Sequence, residues 1–151
     1  METPEPASAE ALRRMMPDAY PVFFAGRLPW PAQALVMPSV VKGHSTLLAA
    51  PTASGKTEAA ITPLYQRHLS FKRERLSTIY VAPTKALAND IYERLDSYLA
   101  IRAPDSVTRY TGDRHDFVSA DGLFCLIVTP EALDSLQLTR PETLAGVRAG
   151  V

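Results

Sequence analysis

The sequence predicts an α/β fold, a parallel β-sheet with helices on both faces. Three observations carry that expectation. From Ser45 onward, short apolar runs alternate with helix-forming runs, the pattern of strand–helix–strand crossovers. Several runs are apolar throughout, as in Leu123-Phe124-Cys125-Leu126-Ile127-Val128, which fits strands covered on both faces. Three of the runs also end in a threonine/proline turn that opens a helix: Ala50-Pro51-Thr52, Ala82-Pro83-Thr84 and Val128-Thr129-Pro130. Ligands collect at the carboxyl ends of strands in an open parallel sheet, so these turns would set hydroxyls and helix N-termini along one edge.

The elements follow in order. Met1 to Tyr20 is rich in Pro, Ala and Glu and shows no clear period, so residues 1–22 are expected to be a flexible segment ahead of one domain over 23–151. Gln33 to Val41 reads as a helix, with Pro38 as a kink and Lys42-Gly43 as its stop. Ser45 to Ala50 reads as a strand. Lys56 to Leu69 reads as a helix with Ile61, Leu64, Tyr65 and Leu69 on one face, bent near Pro63. Thr78 to Ala82 is the next strand. Lys85 to Ala100 is the cleanest amphipathic helix, with Leu87, Ile91, Leu95 and Leu99 in one stripe. Val107 to Thr111 and Leu123 to Val128 are strands, and Glu131 to Leu138 a helix.

At 151 residues the chain holds one domain with a real core. A 46% hydrophobic and 21% charged composition is that of a globular protein rather than a disordered one. The net charge is zero, so no overall basic footprint points to a nucleic-acid partner. No apolar stretch is long enough to span a membrane. Met1 to Glu10 carries three glutamates and no apolar core, so no secretory signal is expected. The lone Cys125 lies in an apolar run and reads as a small buried residue. The cytoplasm is the expected compartment.

The segment Ala50-Pro51-Thr52-Ala53-Ser54-Gly55-Lys56-Thr57 reads as a phosphate-binding loop, because it stands between an apolar run and a helix-forming run beginning at Glu58. In that order, backbone N–H groups at a helix N-terminus cradle a polyphosphate. Lys56 would reach the outer phosphates as a point charge, and the Thr57 hydroxyl would sit on Mg²⁺. Ala50 stands where the first glycine of the usual pattern falls.

With these motifs the chain resembles the first RecA-like domain of a superfamily 2 helicase of the DEAD/DEAH-box group. Ala50 to Thr57 looks like motif I, Pro83-Thr84-Lys85-Ala86-Leu87-Ala88 like motif Ia, Thr111-Gly112-Asp113 like the short glycine motif that follows, and Thr129-Pro130-Glu131-Ala132-Leu133 like motif Ib. Gln33 lies 23 positions before Lys56, where the adenine-reading glutamine of such helicases falls. An amide suits that task because it offers one acceptor and one donor edge. The resemblance implies a P-loop NTPase (RecA-like) sheet, here incomplete, that binds ATP and Mg²⁺. It makes Gln33, Pro51, Thr52, Ala53, Ser54, Gly55, Lys56, Thr57 and Glu58 the nucleotide-binding set, with Lys56 and Thr57 catalytic and Thr57 on the metal. It assigns Pro83, Thr84, Lys85, Thr111, Gly112, Thr129 and Pro130 to DNA or RNA.

Two departures refine the resemblance. Thr129-Pro130-Glu131 replaces the Thr-Pro-Gly-Arg of true DEAD-box RNA helicases, and Lys85 replaces their arginine, variants that look more like the Lhr-like and other DExH branches. No apolar run is followed by Asp-Glu, so the chain is expected to be a fragment that stops where the DExD/H strand begins, itself inactive in hydrolysis. A small P-loop kinase and a non-catalytic module that holds ATP or nucleic acid stand as alternatives.

Other residues read as structural. Lys72-Arg73-Glu74-Arg75 is expected to be a solvated loop, and His44, His68 and His115 share no metal-ligand spacing. His115, with Asp113 and Asp116, reads as a polar loop. Trp30 is expected to anchor the N-terminal segment, with Trp30 and Phe24 the two candidates for stacking on adenine.

Overall fold

The computed structural model describes residues 5–115 and 119–151, so Asp116 of the expected polar loop lies outside it. The chain divides into two compact units, Met1–Phe71 and Lys72–Val151.

The first unit is helical: α1 (Ala9–Met15), α2 (Tyr20–Phe23), α3 (Pro31–Val41) and α4 (Lys56–Ser70). The expectation of a flexible segment over residues 1–22 is overturned from Ser8 onward. Ser8 accepts a hydrogen bond from the Ala11 N–H at 3.1 Å, and Glu10 and Arg13-Arg14 sit at the ends of α1 that the helix dipole favours. Leu12, Met16, Ala19, Tyr20 and Phe23 are buried. They recur at helical spacing on either side of Pro17, and that proline hid the period. Gln66 of α4 fastens the segment: its Oε1 accepts from the Asp18 and Ala19 N–H groups, and its Nε2 donates to Asp18 Oδ2 and Ser70 Oγ, all at 3.0 Å.

Helix α3 starts two residues before its expected position, with Pro31 in the first turn, where a missing N–H costs nothing. It stops at Lys42-Gly43 as expected, with Gly43 at φ +89°. Arg67 Nη1 donates to the Val41 carbonyl at 3.1 Å, placing a cation at the negative end of the helix. Leu69 leaves the expected apolar face of α4 and is partly exposed, whereas Ile61, Leu64 and Tyr65 are buried.

The expected strand Ser45–Ala50 is not formed. Residues 44–50 pair with no described strand, and Leu47 is 95% exposed. A strand is held by ladder bonds and by burial of its side chains. Without either, nothing offsets the entropy of extending the chain.

The second unit is a five-stranded sheet in the order β3-β2-β4-β1-β5. Its strands are β1 (Thr78–Val81), β2 (Val107–Thr111), β3 (Arg114–His115), β4 (Cys125–Val128) and β5 (Ala149–Gly150). Strands β2, β4, β1 and β5 run parallel, and β3 folds back antiparallel on β2. Helix α5 (Lys85–Leu99) follows β1, and α6 (Pro130–Thr139) follows β4. In β4, Leu126 and Val128 pack with Leu136 of α6, Ile79 and Leu76. The alternate residues Cys125 and Ile127 face the other way and are fully buried too, which is why β4 reads as apolar throughout. Burial pushes the Cys125 thiol far above its ordinary pKa, consistent with an inert core residue. The buried stripe of α5 is Ala88, Ile91, Leu95 and Leu99, while Leu87 is exposed. Ile91, Leu95 and Leu99 are as expected, and only the first member of the stripe moves, from Leu87 to Ala88. No described helix is long and apolar enough to cross a membrane.

Candidate nucleotide loop and nucleic-acid rim

The loop belongs to the first unit. Gly55 caps α4 at φ +70°, in the left-handed region that glycine enters freely. Ala53 is there too, at φ 60°, a costlier setting for a residue with a Cβ. Helix α4 has no side-chain cap, and its first backbone bond runs from the Ala59 N–H to the Gly55 carbonyl at 3.0 Å. The N–H groups ahead of it therefore have no partner within the helix. Ser54 Oγ donates to the Pro51 carbonyl at 2.7 Å, and Lys56 Nζ donates to the Ala50 and Pro51 carbonyls at 2.6 Å each. Among the described residues no carboxylate pairs with Lys56. Its charge rests against neutral carbonyls, which a phosphate would outcompete. Pro51, Thr52 and Ala53 are exposed and Thr57 half-buried, while Glu58 is turned into the unit. The Thr57 hydroxyl forms no described hydrogen bond, and as a hard oxygen donor it fits Mg²⁺.

Gln33 joins this loop by a contact that no spacing argument foresaw. Its side chain is buried. Its Oε1 accepts from the Trp30 N–H at 2.8 Å, and its Nε2 donates to the Gly55 carbonyl at 2.9 Å. An amide carries two N–H hydrogens and two acceptor lone pairs, so one of each remains. Trp30, the expected anchor, is 58% exposed, and of the two stacking candidates Phe24 is the buried one, with its ring centroid 5.3 Å from that of Tyr20.

The rim belongs to the second unit. Register pairs Val81 and Tyr110 with Val128, so the residues that follow, at the carboxyl ends of β1, β2 and β4, share one edge. Pro83, Thr84, Lys85, Gly112 and Pro130 are exposed there. Thr111 and Thr129 lie beneath it, only 2% and 5% exposed. Thr84 caps α5, its hydroxyl accepting from the Leu87 N–H at 3.2 Å. Lys85 Nζ donates to Asp113 Oδ2 at 2.6 Å, a contact that the expected polar loop did not foresee. The run Lys72 to Arg75 is loop apart from a bridge between Arg75 and Asp121.

A family model described as DEAD/DEAH box helicase matches residues 30–149. The chain belongs to the DEAD/DEAH box helicase family. This membership sets aside the small-kinase alternative. A Lhr helicase/probable uracil glycosylase of Mycolicibacterium smegmatis is 36% identical over 140 residues, covering 80% of this chain and 9% of that protein. The ATP-dependent DNA helicase Hel308 of Thermoplasma volcanium is 33% identical over 106 residues, 69% of this chain and 15% of its own. The ATP-dependent rRNA helicase SPB4 of Yarrowia lipolytica is 37% identical over 82 residues, 50% of this chain and 13% of its own. The chain thus spans a small part of the length of these helicases. Among solved structures, the DUF1998 helicase MrfA bound to DNA and AMPPNP superposes with a TM-score of 0.71 at 24% identity, over 97% of this chain and 22% of that one. A hypothetical ATP-dependent RNA helicase from Sulfolobus tokodaii gives 0.62 at 18% identity, over 83% and 36%. The α/β fold is that of these helicase structures.

Proposed function

We propose that residues 23–151 are the ATP-binding part of the motor domain of an ATP-dependent nucleic-acid helicase, with its DExD/H box and second RecA-like domain supplied elsewhere in a longer protein. The observation that carries this reading is the loop over residues 50–57. A helix N-terminus without a side-chain cap, opened by a left-handed Gly55, stands beside an ammonium that, among the described residues, is held by carbonyls. That is a receptor for a polyphosphate. Lys56 binds the outer phosphates, Thr57 holds Mg²⁺, and the remaining N–H and lone pair of Gln33 read adenine. Trp30, exposed beside Gln33, is the aromatic left to cover the base. Bound Mg²⁺ supplies charge neutralisation on the phosphate oxygens. DNA or RNA lies along the rim, held by Pro83, Thr84, Lys85, Gly112 and Pro130, while the buried Thr111 and Thr129 shape the backbone beneath. Helicases of both substrate classes stand among the relatives, so the choice between DNA and RNA stays open. The cytoplasm is the compartment of this reading.

Calorimetric titration with Mg-ATP and Mg-GTP tests it. Wild type should prefer ATP, Gln33→Ala should narrow that preference, and ATP binding should quench the single tryptophan. Equal affinity of wild type for both nucleotides would refute the role of Gln33. Silent fluorescence would refute that of Trp30.

A further inference from the structure

Of the seven rim residues assigned to nucleic acid, only Lys85 is charged. It is not idle in the free chain. Its ammonium meets Asp113 at 2.6 Å, the shortest of the ion pairs among the described residues, the others being 3.2 Å and 3.4 Å. The pair also joins separate elements, since Lys85 opens α5 and Asp113 lies in the turn between β2 and β3. A cation in the first turn of a helix is disfavoured by the helix dipole, so the helix does not explain why Lys85 leans over that turn. The carboxylate does. The Lys85 side chain lies over Gly112, where a Cβ would meet Nζ at 3.5 Å, an ordinary contact distance.

We propose that Asp113 is a positioning residue that occupies the Lys85 ammonium in place of a backbone phosphate, and so sets how tightly and how salt-dependently the rim grips single-stranded nucleic acid. This rests on the rim reading given above. A phosphate arriving at Lys85 meets an ammonium already paired with a carboxylate, which it must displace or share. The intact pair therefore contributes little counterion release. Removing the carboxylate charge frees one full phosphate contact, adding about 0.7 to the magnitude of the salt slope for a single strand, which is about fivefold in affinity near 0.1 M salt.

The test is fluorescence anisotropy with labelled oligothymidylate and oligouridylate, titrated from about 50 to 200 mM salt. Wild type is compared with Asp113→Asn, Asp113→Glu, Lys85→Ala and the double variant Lys85→Ala/Asp113→Asn, each checked for wild-type thermal unfolding. D113N should bind about fivefold tighter with the steeper slope. D113E, which keeps the carboxylate, should resemble wild type, and K85A should make D113N silent. If D113N is unchanged while K85A weakens binding, the rim reading stands and the role of Asp113 falls. If D113N tightens binding equally with and without Lys85, Asp113 simply repels phosphate and the proposal is overturned. If K85A changes nothing in either background, with or without Asp113→Asn, Lys85 does not contact nucleic acid and both readings fail. Parallel responses with the two oligonucleotides identify the phosphodiester backbone as the partner, whereas a response confined to one overturns a backbone-only contact.

Discussion

A methyl group added to Gly55 would lie 2.0 Å from Gln33 Nε2 and 2.9 Å from Gln33 Cδ. Both distances are too short for the glutamine to stay where it is. Gly55→Ala therefore carries two separable costs. Holding a non-glycine residue at φ +70° costs about 1–2 kcal/mol. Expelling Gln33 also breaks its bonds to the Trp30 N–H and the Gly55 carbonyl, each worth roughly 0.5–1.5 kcal/mol. Together the substitution should destabilise the first unit by roughly 2–5 kcal/mol. The steric part vanishes if Gln33 is already absent. In a Gln33→Ala background, Gly55→Ala should cost only the backbone term, about 1–2 kcal/mol. Urea unfolding followed by the fluorescence of Trp30, the single tryptophan, measures all four corners of this double-mutant cycle. An equal cost of Gly55→Ala in both backgrounds would refute the argument that Gln33 fills the space a Cβ would need.

Further expectations follow from other contacts. Lys56→Ala removes the ammonium from the loop and should weaken ATP binding at least about tenfold; equal dissociation constants by calorimetry would sink the phosphate-loop assignment. Gln66→Ala strips the partners from the Asp18 and Ala19 N–H groups, at about 1–3 kcal/mol for the buried Ala19 N–H left unpaired and less at exposed Asp18, which water can reach. Its signature should be faster hydrogen exchange and proteolysis confined to α1 and α2, and unchanged protection there would show that apolar packing alone holds them. Cys125 should resist thiol reagents until the chain unfolds. Because burial raises its native pKa above the unfolded value, its contribution to stability is complete below the pKa of a free thiol and declines as pH rises past about 8.5. Cys125→Ala should reduce that alkaline decline, and an identical pH profile for the two proteins would contradict the inference.

The strands β1, β2 and β4 and the helices α3 to α6 were legible in the sequence because their information is local. Period, caps and proline placement act within a few residues, and the loop over residues 50–57 declares itself by its own chemistry. Local reading failed where stability comes from a distance. Ser45–Ala50 has the composition of a strand, yet composition supplies no ladder partner. Residues 9–22 look like a tail because Pro17 splits their helical period, yet Gln66, more than forty positions away, binds the break. The contacts that give the candidate sites their character span comparable gaps. Gln33 reaches Gly55 across 22 positions, and Lys85 reaches Asp113 across 28. The residue types alone point to a phosphate loop and a basic rim residue, and the family resemblance adds the proposed adenine-reading amide. That the amide also locks the loop's glycine, and that the rim's cation is already held by a carboxylate, depends on which backbone turns the fold brings within hydrogen-bonding distance. Hydrogen bonds act over about 3 Å, a range that sequence separation does not measure.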